Sequence, residues 1–116
     1  MKTPIVDPSK SSKPRSFPLP SLDEKYTVLL GGPPDSVSMR SGYVQLLPGE
    51  SIGMHSTGSN EELLITLSGR GELCSLERDA LLMNTGCVIY NPPHVSHNVV
   101  NTGDQPLRYI YIVAKA

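Results

Sequence analysis

The chain has 116 residues, a formal net charge of -1 and only two cysteines. That length predicts one domain with a core of its own, and the interspersed charges exclude a basic face for nucleic acid. Cys74 and Cys87 form no CxxC motif, so we expect reduced thiols in a cytoplasmic protein.

A membrane partner is also not expected. The longest apolar run, Tyr109–Ala114, is far too short to span a bilayer. The first residues, which include Lys2, Pro4 and Pro8, do not form a charged-then-apolar leader, so we expect no signal peptide.

Proline divides the chain into two parts, because residues 1–34 hold seven of the eleven prolines. Proline removes a backbone donor and interrupts helices and central strands. We therefore predict an irregular, proline-rich N-terminal arm over residues 1–25 and a β-domain over 26–116. Its first strand is predicted over residues 26–30, before the turn at Gly31-Gly32-Pro33-Pro34.

The rest of the chain has the pattern of an all-β fold. Short apolar or alternating runs are separated by turns rich in glycine, proline and asparagine, which is typical of a sandwich or barrel. No helix is predicted. The further predicted strands cover residues 37–47, 51–55, 61–67, 70–76, 80–83, 87–91, 96–101 and 107–114.

Two motifs contain all three histidines of the chain. The first is Gly49-x5-His55-x-Thr57-x4-Glu62-x6-Gly69, and the second is Gly86-x5-Pro92-x-His94-x2-His97-x3-Asn101. Histidine and carboxylate are the usual protein ligands of borderline divalent metals. The two motifs therefore indicate a metal site assembled from several strands.

In order and spacing these motifs resemble those of the cupin family, over roughly residues 40–114. The resemblance implies a cupin-type double-stranded β-helix, or jelly-roll barrel, with a metal at its mouth. The implied ligands are His55, Glu62 and His97. Thr57 departs from the family pattern, which commonly has a second histidine there. His94 stands where a glycine is usual.

Two assignments stay open at this point. His94 is either a fourth ligand or an exposed turn histidine. Glu61 and Glu62 are adjacent, so the register of the strand decides which carboxylate points inward, and the motif spacing favours Glu62.

The resemblance implies a divalent ion (iron, zinc, nickel, manganese or copper) and a small-molecule ligand or substrate. The two-histidine, one-carboxylate set is suited to iron(II) and oxygen chemistry, so a dioxygenase is the leading hypothesis. Isomerisation or decarboxylation by a Lewis-acid metal is also open. The alternative is a non-catalytic module that binds a metabolite or a metal for sensing.

A homodimer is predicted from apolar residues on the water-facing side of the barrel. If Glu62 points inward, Leu63, Ile65 and Leu67 point outward, and residues 109–113 are apolar on both faces. Such a stripe is costly to expose, and a second copy of the chain would cover it.

Overall fold

The structure of the protein is a computed structural model, and it describes residues 13–76 and 78–116. Within these residues there is no helix, and the all-β prediction is confirmed. The strands are β1 (Tyr26–Gly31), β2 (Arg40–Leu46), β3 (Asn60–Ser68), β4 (Arg70–Ser75), β5 (Leu81–Asn84), β6 (Val88–Asn91), β7 (His97–Asn101) and β8 (Leu107–Lys115). Accordingly, no described helix has the length and apolarity needed to cross a membrane.

The strands form two antiparallel sheets that face each other. One sheet has the order β1-β2-β8-β3-β6 and the other has the order β5-β4-β7. The chain before β3 runs beside β7: Ile52 N–H donates to Val99 O, and His55 and His97 exchange two backbone hydrogen bonds. The result is the double-stranded β-helix barrel.

One predicted strand is not formed. Residues 51–55 make only isolated bridges, at Ser51 and at His55. Gly53 lies between them with a φ of 101°, a left-handed conformation that interrupts regular pairing. The strand predicted over residues 37–47 is also shorter, because β2 begins at Arg40.

The inward side chains of the larger sheet lie in rows that cross its strands. The outermost row, which we call the mouth row, contains Arg40, Val113, Glu62 and Asn91. The next row contains Gly42, Tyr111, Leu64 and Ile89. Beyond them lies the apolar core, which includes Val44, Leu46, Leu73, Met83, Val99, Leu107 and Tyr109. The core therefore closes one end of the barrel and leaves the polar mouth row at the other.

The opposite side of the same sheet is apolar as well. The strand register places six side chains there in two rows: Leu63, Ile65, Val88, Tyr90, Ile110 and Ile112. Val88 is 57% exposed and Tyr90 is 54% exposed. We call these six residues the outer apolar face.

The N-terminal segment joins this barrel from outside. Of the predicted arm, residues 1–12 lie outside the described residues, and residues 13–25 contain no strand or helix. Arg15 forms an ion pair of 3.1 Å with Asp35, which follows β1. Phe17, Leu19 and Leu22 are exposed.

Candidate functional site

The open end of the barrel holds a cavity of about 290 Å³. Its wall combines Arg40, Glu62 and Val113 of the mouth row with side chains from both sheets. The lining residues are Tyr26, Arg40, Ile52, His55, Ser56, Thr57, Glu62, Leu64, His97, Val99, Tyr109, Tyr111 and Val113. Three of the four residues singled out in the sequence for a metal thus share one cavity.

A histidine and a carboxylate meet across this cavity from opposite sheets. His97 Nε2 lies 3.0 Å from Glu62 Oε1, and both side chains are buried. The two atoms are within ion-pair distance, although Nε2 has no well-aligned hydrogen-bond partner among the described residues. The Glu62 carboxylate raises the pKa of the His97 imidazole, and burial opposes this only in part.

The backbone fixes the orientation of both histidines at the site. His55 Nδ1 lies 2.8 Å from Gly53 O, and His97 Nδ1 lies 3.1 Å from Val95 O. A carbonyl can only accept, so each Nδ1 carries a proton, and Nε2 is the ring atom left to take a second proton or a metal ion. This is the arrangement that supports metal-binding histidines.

His55 stands beside His97, with ring centroids 4.6 Å apart and the rings steeply inclined. It is exposed at the rim, whereas His97 is buried. Thr57, also half-buried in the wall, donates its hydroxyl hydrogen to Asn60 O. His55 therefore places a second imidazole at the rim, next to the buried His97 ring.

The other two uncertain residues lie elsewhere. His94 is exposed in the turn before β7, has a φ of 65°, and is not among the cavity-lining residues. Its N–H donates to Gly58 O, so it ties two loops together. Glu61 faces the outside of the barrel, where its carboxylate accepts a hydrogen bond from the Tyr90 hydroxyl.

Asn91 is a site residue that the sequence did not single out. It is buried opposite Glu62 on β6, and its Nδ2 donates to Glu62 Oε1 over 3.1 Å. Only the pairing of β3 with β6 brings the two together, and no motif in the sequence predicts that register. This hydrogen bond from the Asn91 side-chain amide holds the Glu62 carboxylate in place beside His97.

The donors fit a divalent ion, although they do not form a finished site. Two ligands each about 2.1 Å from one ion and at right angles to each other lie about 3 Å apart, as His97 Nε2 and Glu62 Oε1 do. Among residues 13–76 and 78–116, however, no three side chains of His, Cys, Asp or Glu already stand as a complete ligand set. His97 and Glu62 therefore form two ligands at a suitable separation for one ion, and His55 lies next to them as the third candidate.

Tyrosines and one arginine form the wall opposite His55 and His97. Burial raises the pKa of Tyr109 far above its ordinary value, and the nearby Glu62 carboxylate adds to the shift. The pKa of Tyr111 is raised by burial and by its hydrogen bond to Tyr26. Both hydroxyls therefore remain protonated donors at neutral pH.

Comparison with solved structures shows the same fold. A Cupin 2 conserved barrel domain protein from Salinispora arenicola CNS-205 superposes with a TM-score of 0.70 at 24% identity, over 88% of this chain and 92% of that one. An uncharacterized protein with a double-stranded β-helix domain from Klebsiella pneumoniae gives a TM-score of 0.72 at 20% identity, over 88% and 90% of the two chains.

Sequence comparison adds a family and a relative. Glucose-6-phosphate isomerase of Pyrococcus abyssi is 36% identical over 62 residues, which are 50% of this chain and 33% of that protein. The matched segment thus spans only a third of the relative's length. The family model described as "Cupin domain" matches residues 42–113, which is more than half of the chain. The protein is therefore a member of the cupin family.

Proposed function

We propose that this cupin binds one divalent metal ion through His55, Glu62 and His97 and acts on a small organic molecule in the cavity. The observation that carries the proposal is the 3.0 Å approach of His97 Nε2 to Glu62 Oε1, with Nδ1 of the same ring held by a backbone carbonyl. His94 is left out of the set because it is exposed and away from the cavity wall.

The local energetics favour a cation between the two sheets. A buried ring nitrogen without an aligned partner carries a desolvation cost of about 1–3 kcal/mol, and a metal ion would remove that cost. Asn91 fixes one carboxylate oxygen and two carbonyls fix the rings, so little side-chain freedom remains to be lost on binding.

The reaction class we favour is isomerisation by proton transfer next to a carbonyl. A bound divalent ion supplies Lewis-acid polarisation of a substrate oxygen. The chain itself contributes the protonated Tyr109 hydroxyl as a donor in the wall and apolar side chains that limit water. The similarity to a glucose-6-phosphate isomerase supports this choice.

Dioxygenation is the second candidate, and a different observation favours it. Two histidines and one carboxylate leave several coordination positions open, which is the donor set of many iron(II) oxygenases. A non-catalytic role in binding a metabolite or a metal would use the same cavity and the same ligands.

We further propose that two copies pair through the outer apolar face. Leu63, Ile65, Ile110 and Ile112 are only half-buried in the single chain, and Val88 and Tyr90 are mostly exposed. A contiguous apolar patch on a sheet is stabilised by a two-fold partner that offers the same patch.

The free thiols of Cys74 and Cys87 support a reducing, cytoplasmic setting.

The reaction class can be tested with untagged protein loaded separately with Fe²⁺, Zn²⁺, Ni²⁺, Mn²⁺ or Cu²⁺. Aldose phosphates and other small hydroxycarbonyl compounds are incubated in deuterated buffer and examined by NMR, while oxygen uptake is followed in parallel. Isomerisation is supported if the substrate takes up deuterium with the wild type and with His94→Asn but not with His97→Ala. Dioxygenation is supported if oxygen uptake follows the same pattern among the variants. If no metal gives either deuterium incorporation or oxygen uptake, the non-catalytic binding module is favoured.

A further inference from the structure

Arg40 brings a positive charge into the cavity that has no acidic partner among the described residues. It begins β2 and lines the cavity with Tyr26 and Tyr111. The ion pairs in the described part of the chain join Arg15 to Asp35, Lys25 to Glu50, and His97 to Glu62. Arg40 is in none of these pairs, so its guanidinium has no carboxylate within ion-pair distance among the described residues.

Arg40 is exposed at the cavity rim, and its aliphatic stem packs against the loop that follows β1. Gly32 has a φ of 82°, and a Cβ there would lie 3.3 Å from Cγ of Arg40, so the stem of Arg40 passes close over the glycine. Arg40 also lowers the pKa of Tyr111 slightly against the larger effects that raise it, which places its charge near that hydroxyl.

Two tyrosine hydroxyls belong to residues that line the same cavity as Arg40. Tyr26 and Tyr111 are hydrogen-bonded to each other through their hydroxyls, and their rings stack with centroids 6.2 Å apart. One hydroxyl donates to the other, so the pair has one O–H left over for an acceptor from outside. Gly42 makes this possible, because a Cβ there would lie 2.5 Å from Cε2 of Tyr111.

We infer that the cavity is built for a ligand with an anionic group, a carboxylate or a phosphate, which binds to Arg40 and the Tyr26–Tyr111 hydroxyl pair. A planar guanidinium with adjacent O–H donors is suited to two or three acceptor oxygens on one group. Acetate and phosphate share this chemistry, so both are probes of the same subsite.

The position of this subsite also sets the size of the ligand. Arg40 and Glu62 belong to the mouth row and are separated by the single residue Val113 on β8. Two strand spacings of about 4.8 Å put their backbones about 10 Å apart. A ligand of several carbons would then reach from the anion subsite to the His97–Glu62 pair. This last point rests on the proposed function, whereas anion binding itself does not.

The test is ¹H–¹⁵N NMR titration of metal-free protein with sodium phosphate and with sodium acetate, each compared with sodium chloride at equal ionic strength. We expect saturable shifts of the Arg40 side-chain Nε–H and the Gly42 amide with at least one of the two anions. Arg40→Gln should weaken that binding at least about tenfold, as expected for the loss of a charged hydrogen-bond donor. Arg40→Lys should retain part of it.

The matched control is Arg70→Gln, since Arg70 is exposed on the other sheet and does not line this cavity. It should bind the anions like the wild type. Wild-type shifts no larger than those in chloride, or equal loss in the two glutamine variants, would overturn the inference. The titration uses metal-free protein, so it tests anion binding even if the protein binds no metal. If anions do not bind, the metal proposal is unaffected.

Discussion

His97 and Glu62 come from opposite sheets and meet with Nε2 and Oε1 3.0 Å apart. Neither is a neighbour of the other in sequence or in strand pairing, so only closure of the barrel brings them together. The pair is buried beside an apolar core, and its two remaining supports are Asn91 on the carboxylate and Val95 O on the ring. The carboxylate and the imidazole therefore influence each other's protonation directly.

Glu62→Gln should lower the pKa of His97, because the carboxylate is the main cause of its increase. The matched control is Glu61→Gln. The Glu61 carboxylate accepts a hydrogen bond from Tyr90 on the outside of the barrel, so its removal should leave the pKa of His97 unchanged. NMR titration of the imidazole in metal-free protein measures both. Equal His97 pKa values in wild type and Glu62→Gln would refute the ion contact.

The same pKa determines how metal binding and stability depend on pH. A proton and a metal compete for Nε2, so metal affinity should fall on acidification, beginning at a higher pH than for an ordinary histidine. In the metal-free protein, acidification has the opposite effect, because it increases the contribution of the His97–Glu62 pair to the free energy of unfolding. The raised folded-state pKa makes the pair stabilising below the unfolded pKa, and this contribution is lost as pH rises through the folded value. Urea unfolding with and without zinc at several pH values measures both trends.

Gly42→Ala should displace the Tyr111 ring and destabilise the protein by about 1–3 kcal/mol, as overpacking does. Gly31→Ala is the control, because its Cβ would meet nothing closer than Val28 Cγ1 at 3.9 Å. Urea unfolding should show a change of no more than about 0.5 kcal/mol for that variant. Equal stability of the two variants would mean that Tyr111 moves aside without cost.

Ile65→Asp should convert the proposed dimer to a monomer, because it places a charge in the middle of the outer apolar face. Leu76→Asp is its counterpart on a different surface, where the side chain is already 82% exposed, and it should keep the wild-type mass. Light scattering distinguishes the species. A monodisperse wild-type monomer would end the dimer proposal.

Thr57→His should tighten metal binding and reduce the access of exogenous ligands, since it adds an imidazole to the cavity wall. Cobalt absorption, followed with and without a small chelating acid, reports both effects. Ser59→His adds an imidazole at an exposed position two residues further on and should change neither. If Thr57→His also changes neither, position 57 does not face the metal.

The sequence predicted most strands because their apolar runs end at glycine and proline turns, and it placed Glu62 inward through the motif spacing. The segment 51–55 was predicted wrongly as a strand, since its composition does not reveal the left-handed turn at Gly53. Arg40 and Asn91 could not be placed at the site from the sequence alone. Their positions depend on registers between strands that are distant in the chain.

Metal content of untagged protein tests the central claim most directly. After incubation with zinc and removal of free ion, elemental analysis of the wild type should find about one ion per chain. His97→Ala and the double variant His55→Ala/His97→Ala should retain almost none, while His94→Asn, which keeps a residue suited to a positive φ, should match the wild type. Equal metal content in the wild type and the double variant would contradict the proposed site.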